Sequence, residues 1–291
     1  ITGTSPSSNE VSLEANVSSQ YISALLLMAP TFEEGLQIQL ENTLTSAPYV
    51  KMTLSLLEAI GASYRASENT IEVQPLSTVK KITYTVESDW SSVSYLYSWV
   101  AISKETSLRV SHYKNDSLQG DRALVDLFAP LGVETSFEES SNRLLIKKVS
   151  TQLPKVYSYD LSATPDIAQT LAVTCFALGI AAELTGLHTL KIKETDRLLA
   201  LETELKKFGA SISVTDESLS LKARDLTKPL PEGISIATYQ DHRMAMAFAP
   251  LALCCDITIE EPKVVEKSYP TFWEDMETLG MSVRMNKSSN E

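Results

Sequence analysis

Three consecutive polar residues, Asp241, His242 and Arg243, directly precede the apolar helical stretch "MAMAFA" at residues 244–249. An arginine in the first turn of a helix lies at the positive end of the helix dipole, which is unfavourable for a cation. Either Arg243 pairs with Asp241, or an anion occupies the helix N-terminus. The residues alone leave both interpretations open, and the second predicts an anionic ligand.

The segment "KIKETDR", residues 191–197, places more charges before another amphipathic helix. Lys193 and Arg197 are four residues apart, so on one helix face they repel unless an anion lies between them. Glu194 precedes Leu198 by four residues, which predicts that its carboxylate lies on the inward side of the helix. A partly buried carboxyl with a raised pKa can act as a general acid. The alternative is a solvated first turn, where the helix dipole favours acidic residues.

Other candidate residues also precede predicted helices. Ser18 and Ser19 start one apolar helix, and Asp166 follows Pro165 at the start of another. Serine and aspartate are common caps and proline is common at the first helical position, so capping accounts for all of them. Phosphate binding is the alternative for the two serines. Lys267, just before the last predicted helix, is by itself an ordinary surface lysine.

No metal-ligand pattern is recognisable in the sequence. His112, His188 and His242 lack the spacing of metal ligands, and there is no glycine-rich phosphate loop or nucleophile elbow. We therefore expect no metal site.

The elements that must position these residues repeat along the chain. Glycines at positions 61, 132, 209 and 280 each end an amphipathic helical stretch and precede a short β-branched stretch. A glycine in this position is typical of a helix C-cap. Spacings of 71, 77 and 71 residues indicate a repeated architecture.

A second, more apolar helix precedes each of these, and we expect it to be buried. These helices begin near Ser18, Ser91, Pro165 and Asp241. The strand-like stretches before them are "VSLEA" (11–15), "KITYTVE" (81–87), "VYSYDLS" (156–162) and "ISIAT" (234–238). The pattern therefore predicts the order strand–helix–strand–helix–strand–strand in each unit. It indicates an α/β (α+β) fold of four units, of which the last is abbreviated. A break in the chain of regular elements is expected at residues 74–80.

The composition narrows the classes of function. A 291-residue chain that is 43% hydrophobic supports a packed core. Its net charge of −12 argues against a nucleic-acid partner, although a local cationic cleft can still bind small anions. No apolar run has the length of a membrane span, so we expect no membrane partner. The three cysteines form no disulfide framework, which favours a cytoplasmic protein.

Five stretches carry a resemblance to a known family. They are "VSSQYISALLL", "TPDIAQTLA", "LKIKETDRLLALETELKKFGA", "IATYQDHRMAMAFAPLAL" and "KSYPTFWEDM". In this order, and over nearly the whole chain, they closely resemble the 5-enolpyruvylshikimate-3-phosphate (EPSP) synthases, or 3-phosphoshikimate 1-carboxyvinyltransferases. The resemblance implies the enolpyruvyl-transferase fold, with two globular domains of three βαβαββ units each. The chain is similar to the family's C-terminal two-thirds. One unit of an incomplete N-terminal domain is implied at 1–80, and a C-terminal domain of three units at 81–291, in a monomer.

The resemblance also implies a reaction and its residues. The family transfers the enolpyruvyl group of phosphoenolpyruvate to the 5-hydroxyl of shikimate 3-phosphate and releases phosphate, a step of chorismate and aromatic amino-acid biosynthesis, without metal or organic cofactor. Asp166 is implied to take the hydroxyl proton and Glu194 to protonate the methylene carbon. The residues implied to bind shikimate 3-phosphate are Ser18, Ser19, Gln20, Ser46, Tyr49, Asp166 and Lys193. Those implied to bind phosphoenolpyruvate are Arg197, Arg243 and Lys267, with Asp241 and His242 lining the cleft.

Two alternatives remain. The related transferase that uses UDP-N-acetylglucosamine shares the fold, although the Ser18-Ser19-Gln20 and Asp241-His242-Arg243 stretches favour the shikimate enzyme. A substrate-binding chain without catalysis is the other alternative. The family's Pro-Gly-Ser-Lys, Gly-Asn-Ala-Gly-Thr and Arg-Pro stretches, which contact the substrates, are absent, so we expect these 291 residues alone to turn over poorly. Some family members have asparagine where Thr189 stands, which leaves that substrate hydrogen bond open.

Overall fold

The first repeat unit is a four-stranded sheet covered by two helices, in a computed structural model that describes residues 8–104, 106–138, 141–150 and 152–285. Its elements are β1 (Glu10–Glu14), α1 (Ser19–Met28), β2 (Leu36–Glu41), α2 (Ala47–Ala59), β3 (Tyr64–Ala66) and β4 (Thr70–Val73). The strand order is β1-β2-β4-β3, in which β1 and β2 are parallel and the other neighbours antiparallel. A parallel pair requires a crossover connection, and α1 lies in that connection.

The second unit has three strands in the order β5-β7-β6. Its elements are α3 (Trp90–Ile102), β5 (Ser107–Ser111), α4 (Leu124–Phe128), β6 (Val133–Glu138) and β7 (Arg143–Lys148), with 3₁₀ turns at Gly120–Ala123 and Ala129–Leu131. The strand predicted at 81–87 is wrong, because these residues are irregular. Ile82, Tyr84 and Val86 are exposed, so the alternating pattern has no face to bury and no strand to pair with.

The third unit repeats the strand order of the first, as β8-β9-β11-β10 with β8 and β9 parallel. Its elements are β8 (Val156–Asp160), α5 (Ala168–Leu178), β9 (Ala181–Thr185), α6 (Arg197–Lys207), β10 (Ile212–Val214) and β11 (Leu219–Leu221), with 3₁₀ turns at Pro165–Ile167 and His188–Ile192. The same order in two sheets confirms that the sequence repeat is a structural one.

The described part of the fourth unit is shorter. It contains β12 (Ile234–Ile236), α7 (His242–Phe248), β13 (Ile257–Ile259) and α8 (Phe272–Thr278), with 3₁₀ turns at Ala249–Leu253 and Pro262–Lys267. Strands β12 and β13 are parallel. The predicted mixed α/β fold is therefore confirmed.

Two hydrophobic cores form within the described residues. The smaller core lies in the first unit and contains Ile22, Ile38 and Leu54, whereas the larger joins the other three units through α3, α5 and α7. Three of the inner helices, α3, α5 and α7, are buried nearly all round, as predicted. The prediction is wrong for α1, where Tyr21, Leu27 and Met28 are exposed because only the face with Ile22 and Leu26 packs on the small core. Small polar residues join α3 to α5, where the Thr174 hydroxyl donates to Ser98 Oγ at 2.7 Å. The division into domains at residue 80 stays a prediction.

Several contacts join the first unit to the others near the inner helices. Thr45 Oγ1 of the first unit lies 2.8 Å from His188 Nε2 of the third, and the Ser46 amide donates to the Ser162 carbonyl at 3.2 Å. Gly120 packs so closely on Pro48 that an added Cβ would lie 3.0 Å from Pro48 Cβ. A side chain at position 120 would therefore require the first unit to shift by a few tenths of an ångström.

No helix in the described part of the chain is long and apolar enough to cross a membrane.

Candidate active site

The starts of all four inner helices meet at one cavity of about 470 Å³, which we call the larger cavity. Ser18 of α1, Ser91 of α3, Asp166 of α5 and Arg243 of α7 line it. Because each helix directs unpaired backbone N–H groups and the positive end of its dipole toward its start, this placement favours anionic ligands.

Helix capping accounts for some of the polar residues at the starts of the inner helices. Ser18 Oγ accepts a hydrogen bond from the Gln20 amide at 3.3 Å, and an Asp241 carboxylate oxygen accepts one from the Arg243 amide at 2.8 Å. Ser18 thus caps α1 and also lines the cavity, so the two interpretations of this serine are compatible.

All seven residues that the resemblance assigns to shikimate 3-phosphate line the larger cavity. They are Ser18, Ser19, Gln20, Ser46, Tyr49, Asp166 and Lys193. They come from the first and third repeat units, and the structure brings them together although the first and last are 175 positions apart in the sequence. Ser46 adopts a left-handed conformation, φ 55°, at the start of α2, which turns the chain into the cavity wall.

A second cavity of about 420 Å³, the charged cavity, shares Ser18, Asp166, Lys193 and Arg243 with the larger one. Glu194 and Arg197 complete its charged lining, and His242 and Tyr21 line it as well. Lys267 stands at its edge, where its ammonium lies 3.4 Å from Glu194 Oε1.

Arg197 is the buried centre of an ion-pair network at the charged cavity. Its side chain is only 2% exposed and contacts three carboxylates, since Nε donates to Asp241 at 2.6 Å, Nη1 to Asp166 at 2.9 Å and Nη2 to Glu194 at 2.6 Å. Such a buried charge is stable only while its partners are present.

The helix phase assigned to Glu194 is wrong. Helix α6 begins at Arg197 because Asp196 caps it by accepting the Leu199 amide at 3.0 Å, so Lys193 and Glu194 precede the helix. Glu194 nevertheless faces the charged cavity, because Arg197 and Lys267 hold its carboxylate. Lys193 is not stacked on Arg197 in a helix turn, and its ammonium lies 3.7 Å from Asp166.

Arg243 does not pair its side chain with Asp241. Its guanidinium donates to Asp166 Oδ2 at 3.2 Å and to the Asp166 carbonyl at 3.3 Å. Asp241, which the resemblance places along the cleft, is fully buried and lines neither cavity, because Arg197 holds its carboxylate. His242 does line the charged cavity, and burial together with Arg243 lowers its pKa to about 4, which keeps the imidazole neutral near pH 7.

The surrounding cations keep both candidate catalytic carboxyls ionised. Burial favours the neutral acid of Asp166, but Arg243, Lys193 and Arg197 outweigh it and lower its pKa to about 2. Burial likewise opposes the ionisation of Glu194, and Arg197 and Lys267 overcome it, so its pKa is lowered. This matches the behaviour expected of a general acid that becomes proton-competent only after an anion has neutralised those cations.

The cations of the site are therefore paired with carboxylates of the protein itself. Asp166, Glu194 and Asp241 face Lys193, Arg197, Arg243 and Lys267. Within the described residues, these carboxylates and cations largely neutralise one another.

Asp121 is a site residue that sequence reasoning did not identify. It lies on the 3₁₀ turn beside Tyr49, its side chain is fully buried, and it accepts a hydrogen bond from the Ser91 hydroxyl, which lines the larger cavity. Burial raises its pKa to about 6. The sequence carries no signal for it, because a glycine followed by an aspartate is common in solvated turns. Thr189 also lines the larger cavity, and its buried hydroxyl has no hydrogen-bond partner within the described residues.

The raised pKa of Asp121 predicts a pH-dependent stability. A carboxyl that titrates near pH 6 when folded and near pH 4 when unfolded stabilises the fold below pH 4, and this contribution is lost as pH rises through 6. Relative to Asp121→Asn, the wild-type free energy of unfolding should fall by roughly 1–3 kcal/mol between pH 4 and 7, as shifts of this size imply. Urea unfolding of both proteins across this range measures it. A difference between them that stays constant with pH would show that Asp121 titrates normally.

Solved structures with a similar fold include enolpyruvyl transferases. An EPSP synthase from Acinetobacter baumannii superposes with a TM-score of 0.76 at 20% identity, covering 96% of this chain and 64% of that one. The enolpyruvyl transferase NikO from Streptomyces tendae gives 0.67 at 16% identity, covering 94% and 64%. At these identities the likeness concerns the fold, which is that of the enolpyruvyl transferases.

The sequence comparisons identify the family. The EPSP synthase (3-phosphoshikimate 1-carboxyvinyltransferase) family model matches residues 1–276, and the chain belongs to this family. A 3-phosphoshikimate 1-carboxyvinyltransferase from Bacteroides fragilis is 41% identical over 99% of this chain and 69% of its own length. A protein of the same name from Dehalococcoides mccartyi is 35% identical over 94% and 63%. These matches support the shikimate enzyme over the UDP-N-acetylglucosamine enzyme, and the chain spans about two thirds of its relatives.

Proposed function

We propose that this chain binds shikimate 3-phosphate in the larger cavity and phosphoenolpyruvate in the charged cavity, and transfers the enolpyruvyl group between them. The observation that carries the proposal is the convergence of four inner-helix starts and four cations on two adjoining cavities in a protein of net charge −12. Two strongly anionic substrates account for such a concentration of positive potential.

In this proposal the two ionised carboxyls have opposed tasks. Asp166 touches both cavities and takes the proton of the 5-hydroxyl as its oxygen bonds to the central carbon of phosphoenolpyruvate. Glu194, in the charged cavity, gives a proton to the methylene carbon, which becomes a methyl group in a tetrahedral intermediate. In the elimination, Asp166 gives its proton to the departing phosphate and Glu194 takes one proton from the methyl group, so each carboxyl acts once as acid and once as base.

Release of inorganic phosphate from phosphoenolpyruvate with shikimate 3-phosphate as acceptor tests the proposal. The assay should be run on the chain alone and on a version extended to the length of its relatives, because the family motifs absent from this chain are expected to supply further substrate contacts. Phosphate release with UDP-N-acetylglucosamine and none with shikimate 3-phosphate would overturn the choice of acceptor. Binding of shikimate 3-phosphate without turnover in the extended version would favour the non-catalytic alternative.

Replacing Arg243 with lysine should weaken phosphoenolpyruvate binding and largely keep shikimate 3-phosphate binding. Lysine retains the charge but loses the planar fork that grips a carboxylate or phosphate at two points, and a lost charge-assisted hydrogen bond is typically about 1.5–3 kcal/mol. Calorimetric titration with each ligand measures the effect. Equal weakening of both ligands would show that Arg243 mainly supports Asp166 structurally.

We also propose a cytoplasmic monomer. Free thiols at Cys175, Cys254 and Cys255 suit a reducing compartment. Sedimentation of the purified protein tests the oligomeric state.

A further inference from the structure

Glu204 is a buried carboxylate outside both cavities. It lies on α6, its side chain is fully buried, and both of its oxygens are engaged. The Tyr239 hydroxyl donates to Oε1 at 2.8 Å, the Ala237 amide donates to Oε2 at 3.2 Å, and the Lys207 ammonium lies 2.6 Å from Oε2. A buried carboxylate with this set of partners restrains them, because breaking any one contact leaves charge without compensation.

The segment that Glu204 holds comes immediately before α7. Tyr239 and Gln240 have φ of 54° and 58°, and two consecutive residues with side chains in the left-handed region persist only where the surroundings impose them. The turn closes where the Asp241 amide donates to the Thr238 carbonyl at 2.9 Å. Asp241 then caps α7, and Arg243 follows in its first turn. The conformation at 239 and 240 therefore sets where α7 begins.

Helix α6 holds this turn from both sides. Arg197, its first residue, binds the Asp241 carboxylate, and Glu204, two turns further along the same face, binds Tyr239. We infer that Glu204 is a positioning residue, which keeps the 237–240 turn closed and thereby sets how Arg243 enters the charged cavity. The effect of Glu204 on ligand binding rests on the proposed function, because phosphoenolpyruvate is the anion expected at Arg243.

Glu204→Gln and Tyr239→Phe test this inference on the 291-residue chain. Glutamine has one acceptor oxygen, so it cannot accept from both Tyr239 and Ala237 while facing Lys207. We expect Glu204→Gln to weaken phosphoenolpyruvate binding about tenfold, the scale seen when a residue supporting a binding group is removed, with shikimate 3-phosphate affinity within about twofold. Tyr239→Phe removes one contact and keeps the carboxylate, so its effect should be smaller and in the same direction. Amide hydrogen exchange at residues 238–244 should accelerate in both variants.

Two matched controls separate positioning from general stability. Glu202→Gln makes the same chemical change on the same helix, where the carboxylate pairs with Lys206 at 2.8 Å near the surface, and should leave both affinities unchanged. Leu205→Val should lower stability through loss of buried packing on α6, and this side chain has no polar group to hydrogen-bond the turn. If Glu204→Gln weakens both ligands equally, or only as much as Leu205→Val, the inference is overturned.

The exchange measurement separates failure of this inference from failure of the proposed function. If the wild-type chain binds no phosphoenolpyruvate, the proposed function is in error, while faster exchange at 238–244 in both variants still supports the role of Glu204. Unchanged exchange in Glu204→Gln and Tyr239→Phe overturns that role whatever the ligand is.

Discussion

Replacing Glu194 with glutamine should lower kcat for enolpyruvyl transfer by about 10²–10⁴, the usual contribution of general acid–base catalysis, while substrate affinities change far less. Glutamine keeps the shape and one acceptor oxygen of the side chain but has no proton to give to the methylene carbon. The measurement is phosphate release at saturating substrates, in the protein extended to the length of its relatives. Exchange of solvent deuterium into the phosphoenolpyruvate methylene group should fall in parallel.

In the proposed mechanism, the lowered pKa of Glu194 in the free protein makes this proton transfer depend on substrate. Arg197 and Lys267 keep the carboxyl ionised until an anion neutralises them, so the acid forms only in the complex. Glu266→Gln, the same change at an exposed carboxylate next to Lys267, is the matched control and should keep full activity. Deuterium exchange at the wild-type rate in Glu194→Gln would assign the acid to another group.

Replacing Asp166 with asparagine should lower kcat by a similar factor, about 10²–10⁴, because the asparagine amide cannot accept the hydroxyl proton. Affinity for phosphoenolpyruvate should be kept or improved, since Arg243 loses the carboxylate with which the substrate competes. This separation of kcat from affinity is the signature to measure, by steady-state kinetics and by calorimetry.

Asp196→Asn is the control for Asp166, since it also replaces an acid at a helix start. Its side chain caps α6 outside both cavities, and asparagine caps nearly as well, so both activity and stability should change little. If Asp166→Asn keeps its kcat and loses affinity for both substrates, Asp166 is a support for the cations and not the base.

The sequence predicted the repeat and the members of the site because both depend on local patterns. The strand–helix periodicity and the C-cap glycines gave the four units, and motif resemblance placed Ser18, Lys193 and Arg243 together. Local patterns failed where distant residues decide the outcome. The Asp241 carboxylate pairs with Arg197, 44 residues away, so its neighbour Arg243 was free to reach Asp166. The residues at the start of α7 include neither Arg197 nor Asp166, so the charges at that helix start could not predict these pairs.

Two local expectations failed for more specific reasons. The expectation that Glu194 lies within α6 failed because Asp196 caps the helix, which therefore begins only at Arg197. The strand at 81–87 has an alternating pattern, but a strand forms only against a partner edge and a buried face. Asp121 escaped notice because its burial depends on the packing of the 3₁₀ turn against the first unit, which no spacing along the chain reports.

The division of the larger cavity between two cores has a consequence for every measured affinity. Ser18 belongs to the first repeat unit and Lys193 to the third, so the cavity is complete only in molecules whose two cores face each other. If a fraction f of molecules is so arranged, the apparent Kd equals the intrinsic Kd divided by f. The residues of the Gly120–Pro48 contact line neither cavity, so we expect this contact to affect the affinity through f. Sequence changes there should then tune binding without altering any residue that lines either cavity.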